Sequence, residues 1–247
     1  MSVARFEALL RRSRLLTSLG PDAVREAARA ATAKRYEKGE RIWRAGNAAT
    51  HFQVVISGIV KLIAPGPGLR PTIVDVFGPG ESLGYWAAFD SSPYIGDAMP
   101  VTDRVETLLI PATVLHQMTR SNPEAALAMT HAVLTYARAL RAKIAVMCAG
   151  TVHQRLAMLL LDLAARFGDE GEDGTTLLPV PLSRLDLAMC VGATIETVIR
   201  AMSRWQKQGV LETLHSGFVL RDVSQLQALL EGVPLPRTEE RDYTLAG

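Results

Sequence analysis

A chain of 247 residues and 26.8 kDa is long for one domain and short for three. Its 48% hydrophobic and 21% charged residues exclude wholesale disorder. A formal net charge of +2 argues against a strongly basic polyanion binder and against an acidic tail protein. Two cysteines, Cys148 and Cys190, exclude a four-cysteine zinc site, a four-thiolate iron–sulfur cluster and a disulfide-framed secreted domain. The first residues lead into no signal-like apolar run. The most apolar window, 125–146, is interrupted by His131, Arg138, Arg141 and Lys143, so no membrane span is expected. The expectation is a reduced, cytoplasmic protein.

Residues 5–16 read as a short helix with Phe6, Leu9, Leu10, Leu15 and Leu16 apolar, and Pro21 opens a second that runs through Ala33. Short runs rich in Val, Ile and Thr follow, at 41–43, 52–56, 59–63, 72–77, 98–101 and 107–110, punctuated by glycines. Such spacing suggests a compact β-sandwich or barrel, and Ser57-Gly58 looks like a tight hairpin turn. At Asn122-Pro123-Glu124 a helix start is written: Asn as N-cap, Pro at the first position, Glu at the positive end. No Gly or Pro interrupts 124–149, and Gly150 ends the run. Steps of four and three from Ala126 reach Thr130, Val133, Ala137, Leu140, Ile144 and Met147, all small or apolar apart from one threonine. A seam of that period suits a twin helix from a second copy of the chain, hence a homodimer; the other reading is a helix packed on its own domain. A helix at 152–167, a Gly/Asp/Glu-rich loop at 168–174 and a strand at 177–180 come next.

Residues 181–220 are the most informative. Ser183 and Asp186 have the form of a capping box. From Arg184 as position 1, position 5 is Ala188, position 9 is Gly192 and position 15 is Val198. A small residue lets two helices cross closely, a glycine permits the left-handed turn between them, and an apolar residue anchors the second helix. Leu185, Met189, Val191 and Met202 are assigned to the remaining inward positions. Thr194 caps the second helix, which runs to Gln208 and stops at Gly209; 210–213 and 218–220, turning at 215–217, form a two-stranded wing. The pattern is a winged helix-turn-helix, which binds DNA or, in the blander reading, another protein. In such motifs the start of the second helix enters the major groove. The outward residues there are Ile195, Glu196, Ile199 and Arg200. Arg can grip guanine and Glu can accept from cytosine, although an i,i+4 pair can also simply bond to itself. Ser183, Arg184, Thr194 and Arg204 are candidates for phosphate contacts.

The order of parts resembles the cyclic-AMP receptor protein/fumarate–nitrate reductase regulator (CRP/FNR) family across about residues 5–230. The matching segments are Lys38-Gly39-Glu40-Arg41-Ile42, Ile56-Ser57-Gly58-Ile59-Val60-Lys61, Gly78-Pro79-Gly80-Glu81-Ser82-Leu83-Gly84 and the run from Val191 to Arg200. The resemblance implies an α+β protein with a β-roll (1–121), a dimerisation helix (122–149), a winged helix-turn-helix (150–232) and a polar tail (233–247). It implies a homodimeric transcription regulator on double-stranded DNA with palindromic sites, and RNA polymerase as a candidate partner. Thr194-Ile195-Glu196-Thr197 is closer to the fumarate–nitrate branch, though that branch usually carries Ser where Ile199 stands.

The effector site is where the match fails. The family's nucleotide pocket needs Glu after the second glycine turn and an Arg-Ser pair for the phosphate. Here Gly84 is followed by Tyr85 and Trp86, the Arg-Ser position falls near Ile95-Gly96, and the purine-facing positions of the dimer helix hold Leu140 and Arg141. Weak or no binding of cyclic AMP or GMP is expected, with no cofactor and no metal. The N-terminal cysteine cluster of the family's oxygen sensors is missing. A haem or other small-molecule sensor stays open as an alternative, although His51, His116, His131, His153 and His215 show no metal spacing. Cys148, near the hinge, reads as a small buried thiol rather than a redox switch. No Gly-rich phosphate loop, nucleophile elbow or ligand cluster supports an enzyme. Residues 150–232 carry seven basic and ten acidic residues, so a small basic face is expected rather than a basic domain.

Overall fold

The structure is a computed structural model that describes residues 2–66, 71–171 and 174–231. The tail from residue 232 onward, with the expected polar segment 233–247, lies outside the described residues, as does the side chain of Cys148. The N-terminal segment forms three helices, α1 (Val3–Leu10), α2 (Arg14–Ser18) and α3 (Pro21–Ala30). The single helix expected over 5–16 is broken at Ser13, which accepts from the Leu16 amide at 3.3 Å and caps α2. Ser13 is fully buried, and its hydroxyl lies 3.0 Å from that of Ser82, so the break is pinned to the body of the fold.

Strands β1 (Thr32–Glu37), β2 (His51–Ser57), β3 (Val60–Pro65), β4 (Pro71–Phe77), β5 (Ser82–Leu83), β6 (Asp97–Pro100) and β7 (Arg104–Pro111) build two antiparallel sheets. One has the order β1-β7-β2-β5 and the other β4-β3-β6. Two expectations need correcting. Residues 32–33 belong to β1 rather than to a helix; this edge strand, Thr-Ala-Lys-Arg-Tyr-Glu, is almost wholly exposed and shows no apolar alternation. Ser57-Gly58 is not a hairpin turn, because β2 and β3 lie in different sheets. Gly58, at φ 80°, carries the chain across, and a Cβ there would collide with the Arg104 carbonyl and the Thr102 hydroxyl. The run at 41–43 makes only a bridge from Trp43 to Ala98. Two unanticipated helices, α4 (Tyr85–Asp90) and α5 (Ala112–Ser121), close the roll. Phe52, Val54, Leu108 and Ile110 of one sheet meet Val60 and Leu62 of the other, with Leu10, Leu16 and Ala27 of the N-terminal helices in the same cluster. Each fully buried side chain of this size contributes about 1.5–3 kcal/mol relative to exposure.

The long helix α6 (Pro123–Ala149) starts where Asn122 Oδ1 accepts from the Glu124 amide at 2.9 Å. After it come α7 (Val152–Phe167), β8 (Asp169–Glu170), β9 (Thr176–Leu178), α8 (Arg184–Val191), α9 (Ile195–Lys207), β10 (Leu211–Leu214), β11 (Gly217–Leu220) and α10 (Val223–Ala228). The expected two-stranded wing is part of a four-stranded sheet, β10-β11-β9-β8. A second core gathers Leu156, Leu160, Leu187, Val198, Met202, Trp205 and Phe218, and it continues into Ile59, Ile73, Val76 and Val101 of the β-roll. No helix among the described residues is long and apolar enough to cross a membrane.

Candidate nucleic-acid interface and the β-roll pocket

The helix-turn-helix is built from local signals. The Ser183 hydroxyl accepts from the Asp186 amide at 3.0 Å, and Asp186 Oδ2 accepts from the Ser183 amide at 3.1 Å, which closes the capping box. Gly192 takes φ 61° and ψ 46°, the left-handed turn. Ala188 and Val198 are buried. Thr194 Oγ1 accepts from the Thr197 amide at 3.3 Å and caps α9. Val191 and Met202 are buried and Met189 packs on the same core, but Leu185 is 55% exposed. Leu185 is corrected to a solvent position: α8 turns 187, 188 and 191 inward, and 185 falls on the opposite side.

The outward residues of α9 form one open face. Ile195, Glu196, Ile199, Arg200 and Arg204 are exposed, as are Ser183 and Thr194. Two partly exposed isoleucines beside Glu196, Arg200 and Arg204 make a mixed apolar and charged surface among the described residues. Arg200 donates to Thr197 Oγ1 at 3.3 Å. Among the described residues no ion pair joins Arg200 to Glu196. The Glu196 carboxyl is held below its ordinary range by its own backbone N–H at the start of α9, then by the Thr194 hydroxyl and the Arg200 charge. Arg184 is placed differently: it donates to Thr213 Oγ1 at 2.7 Å and lies over the Phe218 ring, so it ties α8 to the wing.

The β-roll pocket is the opposite case. Gly84 (φ 74°) turns the chain into α4, where Tyr85 and Trp86 pack half-buried against the β-roll core and Trp86, but not Tyr85, lines the cavity. Trp43 and Tyr94 stack with centroids 4.2 Å apart, and the Trp43 indole donates to the Gly96 carbonyl at 3.0 Å. Trp86 stacks on Tyr136 of α6, 6.0 Å between centroids. The cavity left between Trp43, Leu62, Phe77, Trp86 and Tyr94 is about 10 Å³, room for a water molecule at most. Burial pushes the Tyr85 hydroxyl up to about 12 and raises Tyr136 as well. Leu140 is half-buried and Arg141 exposed. Trp43, Tyr94 and Tyr136 were not legible as pocket residues, because their stacking joins distant parts of the chain. A shallow groove of about 430 Å³ along α5, at Thr113, His116, Gln117, Arg120 and Ser121, is lined by that helix alone. Among the described residues no group of three or more His, Cys, Asp or Glu could hold a metal ion.

Along α6 the two sides differ. Ala125 and Met129 are buried in the β-roll core, and Val133 packs against it half-buried. Met147 reaches the turn of the helix-turn-helix, its methyl group in contact range of a Cβ at Gly192. Thr130, Ala137 and Ile144 are exposed, and the apolar residues that stand exposed with them are Leu127, at 58%, and Leu134, at 48%. Of the seam read by stepping from Ala126, Thr130, Ala137 and Ile144 are thus exposed, while Val133, Leu140 and Met147 are half-buried.

Residues 33–122 match the family model of the cyclic nucleotide-binding domain, and residues 154–229 that of the Crp-like helix-turn-helix domain. The chain is 30% identical over 199 residues to the nitrogen fixation regulation protein FixK of Azorhizobium caulinodans, covering 78% of this chain and 77% of that protein. It is 23% identical over 218 residues to the CRP-like cAMP-activated global transcriptional regulator of Mycobacterium tuberculosis H37Rv, covering 88% of this chain and 96% of that one. The solved structure of FixK2 from Bradyrhizobium japonicum has the same fold, with a TM-score of 0.70 at 24% identity over 81% of this chain and 96% of that one. A β-roll followed by a capped, winged helix-turn-helix, matched in that order by both domain models and carried by a relative sharing three residues in ten, means that this chain belongs to the CRP/FNR family of transcription regulators.

Proposed function

We propose that the protein is a homodimeric, sequence-specific DNA-binding regulator of palindromic sites that binds without a cyclic nucleotide. The observation that carries the DNA reading is the open face of α9, where Glu196 and Arg200 stand exposed between Ile195 and Ile199 at the start of a capped helix. Arg200 reads guanine and Glu196 accepts from cytosine. Thr194, Ser183 and Arg204 take phosphates, with Arg184 holding the wing beside them. The exposed seam at Leu127, Leu134 and Ile144 supports a two-fold pairing through α6. Two-fold symmetry implies half-sites about 34–36 Å apart. A regulator of this kind works where the chromosome is, in the cytoplasm. Ligand independence is supported by the stacked aromatic residues that occupy the β-roll, and by the absence of a cation at 95–96 to balance a phosphate.

Random-site selection on the purified protein, alone and with cyclic AMP or cyclic GMP, tests the reading. The expected result is one enriched palindrome without ligand and no change with either nucleotide. Failure to enrich any sequence would overturn the DNA reading, and enrichment that required a nucleotide would overturn ligand independence alone.

A further inference from the structure

The winged helix-turn-helix does not hang from α6 by a bare hinge at Gly150. It is seated on the β-roll of its own chain. Ile73 and Val76 of β4 share a buried core with Leu160 and Leu163 of α7 and Leu187 of α8. At the end of α7 the Phe167 ring lies so close over Gly78 that a Cβ there has no room. Two cations cross the same seam. Arg166 forks onto Glu81, Nε to Oε1 at 3.1 Å and Nη2 to Oε2 at 2.9 Å. It also donates to the Val76 carbonyl and lies 3.6 Å from Asp75. Glu81 is itself anchored, since its Oε2 accepts from the Gly78 amide at 2.9 Å. Lys61 of β3 reaches Asp186 Oδ1 at 2.6 Å. Asp186 is the capping-box carboxylate of α8, so a β-roll lysine is bonded directly to the start of the helix-turn-helix. Both partners are largely enclosed, at 18% and 10% side-chain exposure.

We infer that Arg166 and Lys61 are positioning residues for DNA binding, which lock each reading head onto its β-roll with the recognition face turned outward. This rests on the DNA reading above. The seam uses β4, α7 and the inner side of α8, while Ile195, Glu196, Ile199 and Arg200 stay exposed. The seated state is therefore competent to meet a groove. Two heads fixed on one dimer have a set spacing, and their orientational freedom is lost before DNA arrives rather than on binding. A bidentate Arg–carboxylate fork gives orientation as well as attraction, and Lys61 neutralises the one carboxylate that α8 would otherwise present beside the Ser183 contact.

The test uses the full-length protein and the duplex enriched by site selection, together with duplexes whose half-sites are moved apart or together by one or two base pairs. Affinities are measured for wild type, Arg166→Gln, Arg166→Lys and Lys61→Met, and hydrogen exchange is followed in α7 and β4. Arg166→Gln is expected to bind the selected duplex at least ~10-fold more weakly. It should also lose much of the discrimination between spacings, with faster exchange at the seam. Arg166→Lys, which keeps the charge, should recover part of both. Lys61→Met keeps the stem and provides the same readout if the arginine variant does not fold. Wild-type affinity and wild-type spacing preference in both Arg166→Gln and Lys61→Met would overturn the inference and leave the DNA reading intact. Tighter binding by either would overturn it as well, by making the seated state the closed one. A wild-type protein that selects no duplex would remove the DNA reading first, and this inference with it.

Discussion

Inside the β-roll, Trp43 stacks on Tyr94, Trp86 stacks on Tyr136, and the cavity beside Trp43, Trp86 and Tyr94 has room for about one water molecule. On α9, Ile195 and Ile199 stand partly exposed, at 36% and 44%, beside the exposed Glu196 and Arg200. Both regions sit at the start of a helix that follows a glycine turn, α4 after Gly84 and α9 after Gly192 and its Thr194 cap. One is packed within the chain, and the other stands largely exposed. In a fold whose relatives include a cAMP-activated regulator, that contrast underlies the proposal that the β-roll takes no cyclic nucleotide while α9 meets DNA.

The comparison can be broken most severely at Trp43. Trp43→Ala should cost about 3–5 kcal/mol of unfolding free energy, because it removes a buried indole, its stack and its bond to Gly96. Urea unfolding measures the loss. If the indole is what fills the pocket, free indole should raise the melting temperature of Trp43→Ala and leave that of the wild type unchanged. No response in the variant would mean that the roll collapses around the gap. A smaller effect is expected at the open face. Arg200→Ala should lose about 1–3 kcal/mol of discrimination at one base pair of each half-site while melting like the wild type. Competition binding with single-base variants of the selected duplex checks this, and uniform weakening across all of them would make Arg200 a phosphate contact instead.

The smallest effect is nil at neutral pH and grows only in alkali. Burial raises Tyr85 and Tyr94 to about 12, with Tyr136 raised too, against about 10 in an unfolded chain. Below pH 10 both states keep these protons and stability is unaffected. Between 10 and 12 the unfolded chain releases them while the folded one does not, so stability falls as pH rises. Phenolate absorbance should therefore develop together with unfolding for these three residues. A gradual rise in a still-folded protein would mean that the pocket is open to water.

The helix-turn-helix was legible because it depends on neighbours. Capping boxes, a left-handed glycine and an apolar residue at a set distance act within one or two turns of helix, so Ser183, Asp186, Gly192, Thr194 and Val198 carry their roles in their spacing. Leu185 was misread at the same place, because an apolar residue in the first turn of α8 can face either way until the second helix is docked. The edge strand β1 was hidden since it buries almost nothing, and the crossing at Gly58 looked like a hairpin because a glycine turn does not say which sheet the next strand joins. On α6 the period of the apolar residues was readable, but which of them the β-roll takes was not: packing assigns Met129 and Val133 to the roll and leaves Leu127 and Leu134 exposed.

The sequence by itself determined the order of the β-roll and the helix-turn-helix, and the helix α9 with its outward Glu196 and Arg200. The caps, the glycine turn and the outward positions of α9 follow from residue type and short-range spacing, whereas the missing phosphate partners at 84–86 and 95–96 are what the family resemblance implies. Tertiary structure alone decided that aromatic side chains fill the pocket, that Arg184 braces the wing, and that Lys61 and Arg166 bind the reading head to the roll. These contacts join segments far apart in the chain, and their energies exist only once long-range closure has brought the partners within a few ångströms.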